Sequence, residues 1–529
     1  MKSKLPAAET LRKTVVMSSV AVALMSCLAV CVCEAQTCDS QPAGIVAQVK
    51  KYRLKNEQKI VGELNDLLAI PNTANDEINI QRNAAKLVEL LERRGFQTQL
   101  LPISGRGPVV FGRLDTPGAT RTVIFYCHYD GQPVEPNEWT GTQPFKPALR
   151  TGSIEAGGKL IAFPAAATPY EDDWRIYARS ASDDKSPIIA ILAALDALRA
   201  ENIPLSVNVK LVLDGEEEAG SPHLEQTLMQ HKDLLTGDLL ISCDGPIHQS
   251  GRPLMDFGNR GVVSVKVTLY GPARPLHSGH YGNWAPNPAM HLAQLLASMK
   301  NASGRVLIDG FYDDVAPLGD SEKRAIREAS FYDAELLKQF AIARPEGNGE
   351  SLLELLSQPS LNIDGLMSGW IGDQSKTIVP DRAVASLDIR LVKNIDPEKQ
   401  LDRLIAHIRK QDYTVFTREP TIEERTKIPQ IAQVTHERGY PAASTPMDLP
   451  VSIALARVVD EATGEPSVKL PLLGGSMPMY IFERLHLPVI GVPIVNFDNN
   501  QHSPNENLRL GNLWQGMEIY GAILADLRW

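Results

Sequence analysis

The stretch Val207, Val209, Leu211, Val212 and Leu213 runs directly into Asp214-Gly-Glu-Glu-Glu-Ala-Gly-Ser221. A short, nearly continuous apolar run reads as a strand buried on both faces, which demands a sheet covered by other layers on each side. Adjacent carboxylates at the end of such a strand repel one another and resist desolvation. A folded core keeps them only with a cation or raised pKa values, unless the run is a solvated acidic turn at a helix start.

The same pattern recurs. Val123–Tyr126 leads to Cys127-His128-Tyr129-Asp130, Leu239–Ser242 to Cys243-Asp244-Gly245, and Val489–Val495 to Asn499-Asn500-Gln501-His502. Ligand crevices of open α/β sheets lie outside the carboxyl ends of the strands. Four strand ends that each carry a His or an acid place metal-ligand chemistry along one sheet edge. Cys127 neighbours His128, but adjacent strand residues point to opposite faces, so both Cys127 and Cys243 read as buried, inert thiols. The absence of a Gly-x-Ser-x-Gly elbow removes the commonest serine-hydrolase reading.

Between these strands, Ala84, Leu87, Leu90 and Leu91 predict a helix ending before Gly95, and Ile188, Ile191, Leu192, Leu195 and Leu198 predict another. Alternating strands and helices argue a mostly parallel α/β sheet. The middle of the chain differs. Val263, Val265, Val267 and Leu269 alternate with polar residues, as do Ala385, Leu387, Ile389 and Leu391, while Asn287-Pro288 reads as an N-cap and first-turn proline. One-sided strands with a covering helix suggest a small α+β domain inserted at about 254–430, with a charged helical excursion over 308–355. The expected division is a catalytic domain in two parts, 36–253 and 431–529, around that insertion. A chain of 529 residues is too long for one core. Its net charge of −10 argues against nucleic acid or an anionic membrane surface as partner.

Residues 1–35 stand apart. Lys2, Lys4, Arg12 and Lys13 precede an uncharged run from Thr14 to Cys33, and Cys33-Glu34-Ala35 reads as a small-residue cleavage site. This is the pattern of a secretory signal peptide, with an uncleaved membrane anchor as the alternative. The expectation is a periplasmic or secreted protein with no stable membrane association once the segment is cleaved. Cys38, Cys127 and Cys243 are too few for a disulfide framework, and no CxxC spacing suggests a thiolate zinc site.

Five segments together resemble the M20 metallopeptidases, especially the carnosinase-like dipeptidases: His128-Tyr-Asp-Gly-Gln-Pro133, Ala181-Ser-Asp-Asp-Lys185, Asp214–Ser221, Ser242-Cys-Asp-Gly245 and Gln501-His-Ser-Pro-Asn-Glu506. The resemblance implies an α/β dimetal peptidase domain with an inserted ferredoxin-like lid that forms a homodimer. It implies that His128 and Asp244 hold one divalent ion and Glu218 and His502 the other, with Asp183 bridging them and a cis bond after Asp183. Zinc suits imidazole and carboxylate ligands, with manganese or cobalt as alternatives. Asp130 would orient His128, and Glu217 would act as general base on a metal-bridging water.

The resemblance extends to substrate contacts. Leu276-His-Ser-Gly-His-Tyr-Gly282 is similar to the lid motif, in which His277 would donate to an oxyanion, often in the partner subunit's site. Arg390 in Ser-Leu-Asp-Ile-Arg-Leu would grip a substrate carboxylate, and Ser476 in Gly474-Gly-Ser-Met-Pro478 would line the site. The implied activity is hydrolysis of dipeptides or short peptides beside a free C-terminal carboxylate. The alternatives are an M20-type deacylase of N-acyl amino acids and an inactive metal- or peptide-binding module. The sequence departs from the family pattern at Arg179-Ser180 and Ser186, and by the insertion 151–174.

Overall fold

The structure, a computed structural model, describes residues 42–165 and 168–529. The expectations for 1–35 and for Cys38 lie outside the described residues. Among those described, no helix is long and apolar enough to cross a membrane.

An eight-stranded sheet runs in the order Gln97–Leu101, Val109–Leu114, Asn208–Asp214, Thr122–His128, Leu239–Ser242, Val489–Gly491, Leu254–Asp256 and Val468–Leu470. The four central strands, Asn208–Asp214 through Val489–Gly491, are parallel. Val109–Leu114 and Leu254–Asp256 pair antiparallel on either side of them. In the strand Thr122–His128, Val123, Phe125 and Cys127 join one core cluster, while Ile124 and Tyr126 join another. The two-residue period of a strand therefore feeds two layers, as its continuous apolar run requires. The helices Pro42–Leu68, Lys185–Ala200 and Leu510–Asp526 pack together on the Phe125 side. Phe125 is fully buried there, edge-on to Tyr520, and truncating such a ring costs about 3–5 kcal/mol.

The inserted unit is a five-stranded sheet ordered Ser360–Met367, Arg382–Leu391, Gly261–Tyr270, Ile431–His436 and Thr414–Phe416. The helices Pro288–Met299 and Pro397–Lys410 cover one face, where Leu292 and Leu404 meet Val263, Val265, Leu387 and Ile389. Asn287 caps the first of these, its side chain accepting the Ala289 amide at 3.0 Å. Setting aside the short Thr414–Phe416, the chain order β-α-β-β-α-β is ferredoxin-like. The expected helical excursion is present as Asp320–Ala329, Asp333–Gln339 and Leu352–Leu356.

Two boundaries shift from expectation. Leu254–Asp256 belongs to the large sheet, and Ile431–His436 belongs to the lid, pairing with Gly261–Tyr270. Both are short runs whose sheet membership depends on partners distant in sequence. The last central strand is also shorter than its apolar run, ending at Gly491, because Val492 to Val495 continue into the loop that carries His502. The two crossings between the units are tied by the pairing of Gly258–Asn259 with Ala443–Ser444. One strand of the insertion 151–174, Leu160–Ile161, joins a side sheet with the flanking strands Ala148–Arg150 and Arg175–Tyr177 and with Asn507–Arg509.

Candidate metal centre

The four central strands deliver their carboxyl ends to one crevice. His128 ends Thr122–His128, Glu217 and Glu218 form the short helical turn after Asn208–Asp214, and Asp244 follows Leu239–Ser242. Two sets of ligand-type groups converge there, His128/Asp183/Asp244 and Asp183/Glu218/His502, each with its donor atoms within 4.8 Å of one another. Asp183 belongs to both. Its Oδ1 lies 2.8 Å from His128 Nε2, and its Oδ2 lies 3.1 Å from His502 Nε2, which is also 3.2 Å from Glu218 Oε2. The Asp183–Asp184 peptide is cis. All five residues expected to hold metal are thus brought together, in two groups that share Asp183.

The electrostatics of these groups fit cations at this position. Burial pushes Asp244 up to about 6, with the nearby Asp183 adding to it, and Glu218 up to about 7 for the same reasons. Burial also opposes ionisation of Asp183, but the imidazoles of His128 and His502 facing its two oxygens hold it well below the usual carboxylate range. Contact with Asp183 raises His502 to about 9. Asp183 Oδ2 is buried and makes no well-formed hydrogen bond among the described residues, its 3.1 Å approach to His502 Nε2 included. A buried aspartate set between two imidazoles and two further carboxylates, Asp244 and Glu218, completes a donor set that two divalent ions would satisfy.

Asp130 holds the surroundings in register. Its Oδ1 stands 3.4 Å from His128 Nδ1, and its two oxygens accept the amides of Glu217 at 3.0 Å and Glu218 at 3.1 Å. One carboxylate therefore orients an imidazole and fixes the acidic turn. Glu217 itself makes no side-chain hydrogen bond or ion pair among the described residues. Burial pushes its carboxyl well up, His128 opposes this, and Asp244 and Asp130 add to it. A raised carboxyl without a fixed partner beside a metal centre is suited to exchanging protons.

Several residues contribute that sequence reasoning left without a role. Glu506 is fully buried and accepts from Arg179 at 2.8 Å and from the amides of Ser180, Ser182 and Asp183 at 2.8–3.0 Å. It thereby cradles the loop that carries Asp183. Gln132 donates to Glu218 Oε2 at 2.6 Å. Both stand within the quoted motifs, the only signal available. Asp214 and Glu216 are fully buried rather than solvated. Asp214 accepts from Ser221 Oγ at 2.6 Å and Tyr126 Oη at 3.2 Å, and Glu216 faces His223 Nδ1 at 3.0 Å. They are internal ties of the turn, and His223 is a partner of one of them.

Arg390 and Ser476, expected as substrate contacts, meet across the two units: Arg390 Nη1 donates to Ser476 Oγ at 2.7 Å, and its Nε donates to Asp388 at 2.9 Å. His277 does not join this centre. It is exposed on the lid, accepts the Gly279 amide at 3.1 Å and lies against His280.

Such a centre, with paired ligand-type triads, a shared aspartate and an adjacent unpartnered carboxylate, is the arrangement that a two-metal hydrolase requires. The profile of peptidase family M20/M25/M40 matches residues 124–526. The chain belongs to this family. It is 25% identical over 516 residues to the human Beta-Ala-His dipeptidase, covering 92% of this chain and 94% of that one. It is 26% identical to the Cys-Gly metallodipeptidase DUG1 of Candida albicans, covering 88% and 94%. An M20 family metallo-carboxypeptidase from Sulfolobus solfataricus superposes with a TM-score of 0.72 at 30% identity, covering 88% of this chain and 98% of that one. Human carnosine dipeptidase 1 superposes with a TM-score of 0.71 at 23% identity, over 92% and 99%, a likeness of fold.

Proposed function

We propose that this protein is a dimetal dipeptidase or narrow exopeptidase that cleaves the bond next to a free C-terminal carboxylate. The observation that carries the reading is the pair of ligand triads sharing Asp183, with Glu217 unpartnered beside them. His128 and Asp244 would hold one ion, Glu218 and His502 the other, and Asp183 both, with zinc the favoured metal. When bound, the ions would polarise the scissile carbonyl and make water more acidic. Glu217 takes a proton from the attacking water and delivers it to the leaving amine. Asp130 keeps Glu217 in place through its backbone while orienting His128. Arg390, backed by Asp388 and Ser476, offers its guanidinium to the terminal carboxylate of the substrate. The dipeptidase names of its relatives support this substrate class.

The lid supplies a surface for a second copy. Its edge strand Ser360–Met367 exposes Ile363, Leu366 and Met367, and Trp370 and Ile371 follow, with Trp284 and Met290 also exposed on the lid. An unpaired edge flanked by large apolar side chains suits strand-to-strand association. In such a homodimer the exposed His277 serves the partner's site as an oxyanion donor. Residues 1–35 support export to the periplasm or medium, which N-terminal sequencing of the mature protein would check.

The deciding experiment compares a dipeptide with its C-terminal amide on protein reconstituted with zinc, manganese or cobalt, with a chelator control. Hydrolysis of the dipeptide alone, abolished by chelation, is the expected result. Equal turnover of dipeptide and amide would remove the carboxylate clamp from the reading, and turnover that survives metal removal would remove the metal centre.

A further inference from the structure

The open face of the lid sheet carries a transverse row of three side chains. Arg390 pairs in register with Val262, and Val262 pairs with Tyr440 on its other side. Directly paired residues of antiparallel strands point to the same face. All three are half-buried, whereas their chain neighbours Ile389, Leu391 and Val263 are buried under the lid helices. The row thus looks away from the helices, and Arg390 at its end reaches Ser476 of the catalytic unit at 2.7 Å.

Tyr440 is rigidly held. It exchanges two backbone hydrogen bonds with Val262, at 3.0 and 3.1 Å. Its ring stacks on Tyr480, with centroids 5.6 Å apart and planes 17° apart, and the Tyr480 hydroxyl is fixed to Glu225 at 3.1 Å. The Tyr440 hydroxyl has no hydrogen-bond partner among the described residues. Burial pushes that phenol up to about 12, and the carboxylate of Glu217 adds to the rise while Arg390 opposes it. Tyr440 therefore feels both the base and the clamp. A two-tyrosine wall in so fixed a position presents a flat apolar surface at low entropic cost.

We infer that Val262 and Tyr440, backed by Tyr480, form the subsite for the side chain of the substrate's C-terminal residue and favour planar, unsaturated side chains, aromatic or imidazole. The inference rests on the proposed exopeptidase reading. A substrate whose carboxylate is gripped by Arg390 carries its C-terminal side chain on the carbon that bears that carboxylate, which puts the row beside Arg390 within the side chain's reach. Offset stacking on Tyr440 then adds to binding in a way that a glycine or a small aliphatic residue cannot match.

The test is the ratio of kcat/KM for alanyl-phenylalanine and alanyl-histidine to that for alanyl-glycine. In the parent protein the ratio is expected to exceed about 10, and Tyr440→Ala to lower it about tenfold, a change of about 1.4 kcal/mol. Tyr440→Phe keeps the ring and is expected to keep the ratio. A ratio unchanged within twofold in Tyr440→Ala, or one that falls as far in Tyr440→Phe as in Tyr440→Ala, overturns the stacking wall. Circular dichroism and melting of each variant show that it is folded. Hydrolysis of alanyl-glycine by the parent protein tests the exopeptidase reading separately. If that reading fails, calorimetric binding of free phenylalanine and glycine still reads the subsite: preference for phenylalanine lost in Tyr440→Ala supports it, and equal binding of both by the parent protein sinks it.

Discussion

The carboxylate of Glu506 receives the backbone amide of Asp183 at 3.0 Å. The two residues lie in segments far apart in sequence, yet one fixes the backbone that carries the other's side chain. The same carboxylate neutralises Arg179, which is nearly fully buried. Glu506→Ala would leave a buried guanidinium and three backbone amides without their acceptor. The expected loss is about 3–5 kcal/mol of unfolding free energy, measured by denaturant titration. Metal content by elemental analysis should fall with it, since the loop bearing Asp183 loses its anchor.

Glu217→Gln separates proton transfer from metal binding. No side chain of the ligand triads depends on the Glu217 carboxylate for a hydrogen bond, so bound metal should be retained. Turnover of a dipeptide is expected to fall about 10²–10⁴-fold, the usual span for loss of a general base. Near-normal kcat at full metal occupancy would remove Glu217 from the reaction.

Arg390→Lys keeps the charge but loses the planar fork that contacts Asp388 and Ser476. Steady-state kinetics should show a higher KM for dipeptides, by about tenfold or more, and weaker discrimination against the C-terminal amide. A ground-state clamp predicts that kcat changes less than KM.

Asp256, at the end of its strand in the large sheet, is buried, and burial with the nearby Asp244 raises it to about 7. Its folded value lies above the unfolded one of about 3.9. The folded state therefore binds the extra proton, so the stability from this group is full below pH 4 and is lost as pH rises through 7. Asp256→Asn removes the titration. In chelator-treated protein the variant should match the parent near pH 4 and gain in melting temperature over it progressively towards pH 8. A difference that does not change with pH would contradict the assignment.

The candidate ligand set was legible because each member is a polar residue at the end of an apolar strand or inside a compact motif. His128, Asp244 and the acidic turn are placed by the parallel strands themselves, and Asp183 and His502 by the family resemblance. Glu506 was visible only as the last letter of a motif. Its role depends on a loop folding back over Arg179 and Ser180, which no periodicity encodes. The burial of Asp214 and Glu216 was hidden for a similar reason, since the donors that make it tolerable, Ser221, Tyr126 and His223, come from other segments of the turn and sheet. The strand Ile431–His436 reads like any short apolar run, and only its pairing with Gly261–Tyr270 assigns it to the lid.

Every group of the metal centre stands on the large sheet or its loops, while Arg390 stands on the inserted one, joined to it by the paired crossings Gly258–Asn259 and Ala443–Ser444. The span from guanidinium to metal centre is therefore a ruler whose two ends belong to different bodies. In the proposed exopeptidase the groups for cutting would sit at one end and the stop for the substrate's terminus at the other. Residues at the crossings would set the graduation of that ruler, so the length of peptide accepted would change there without altering a single proposed ligand or the proposed base.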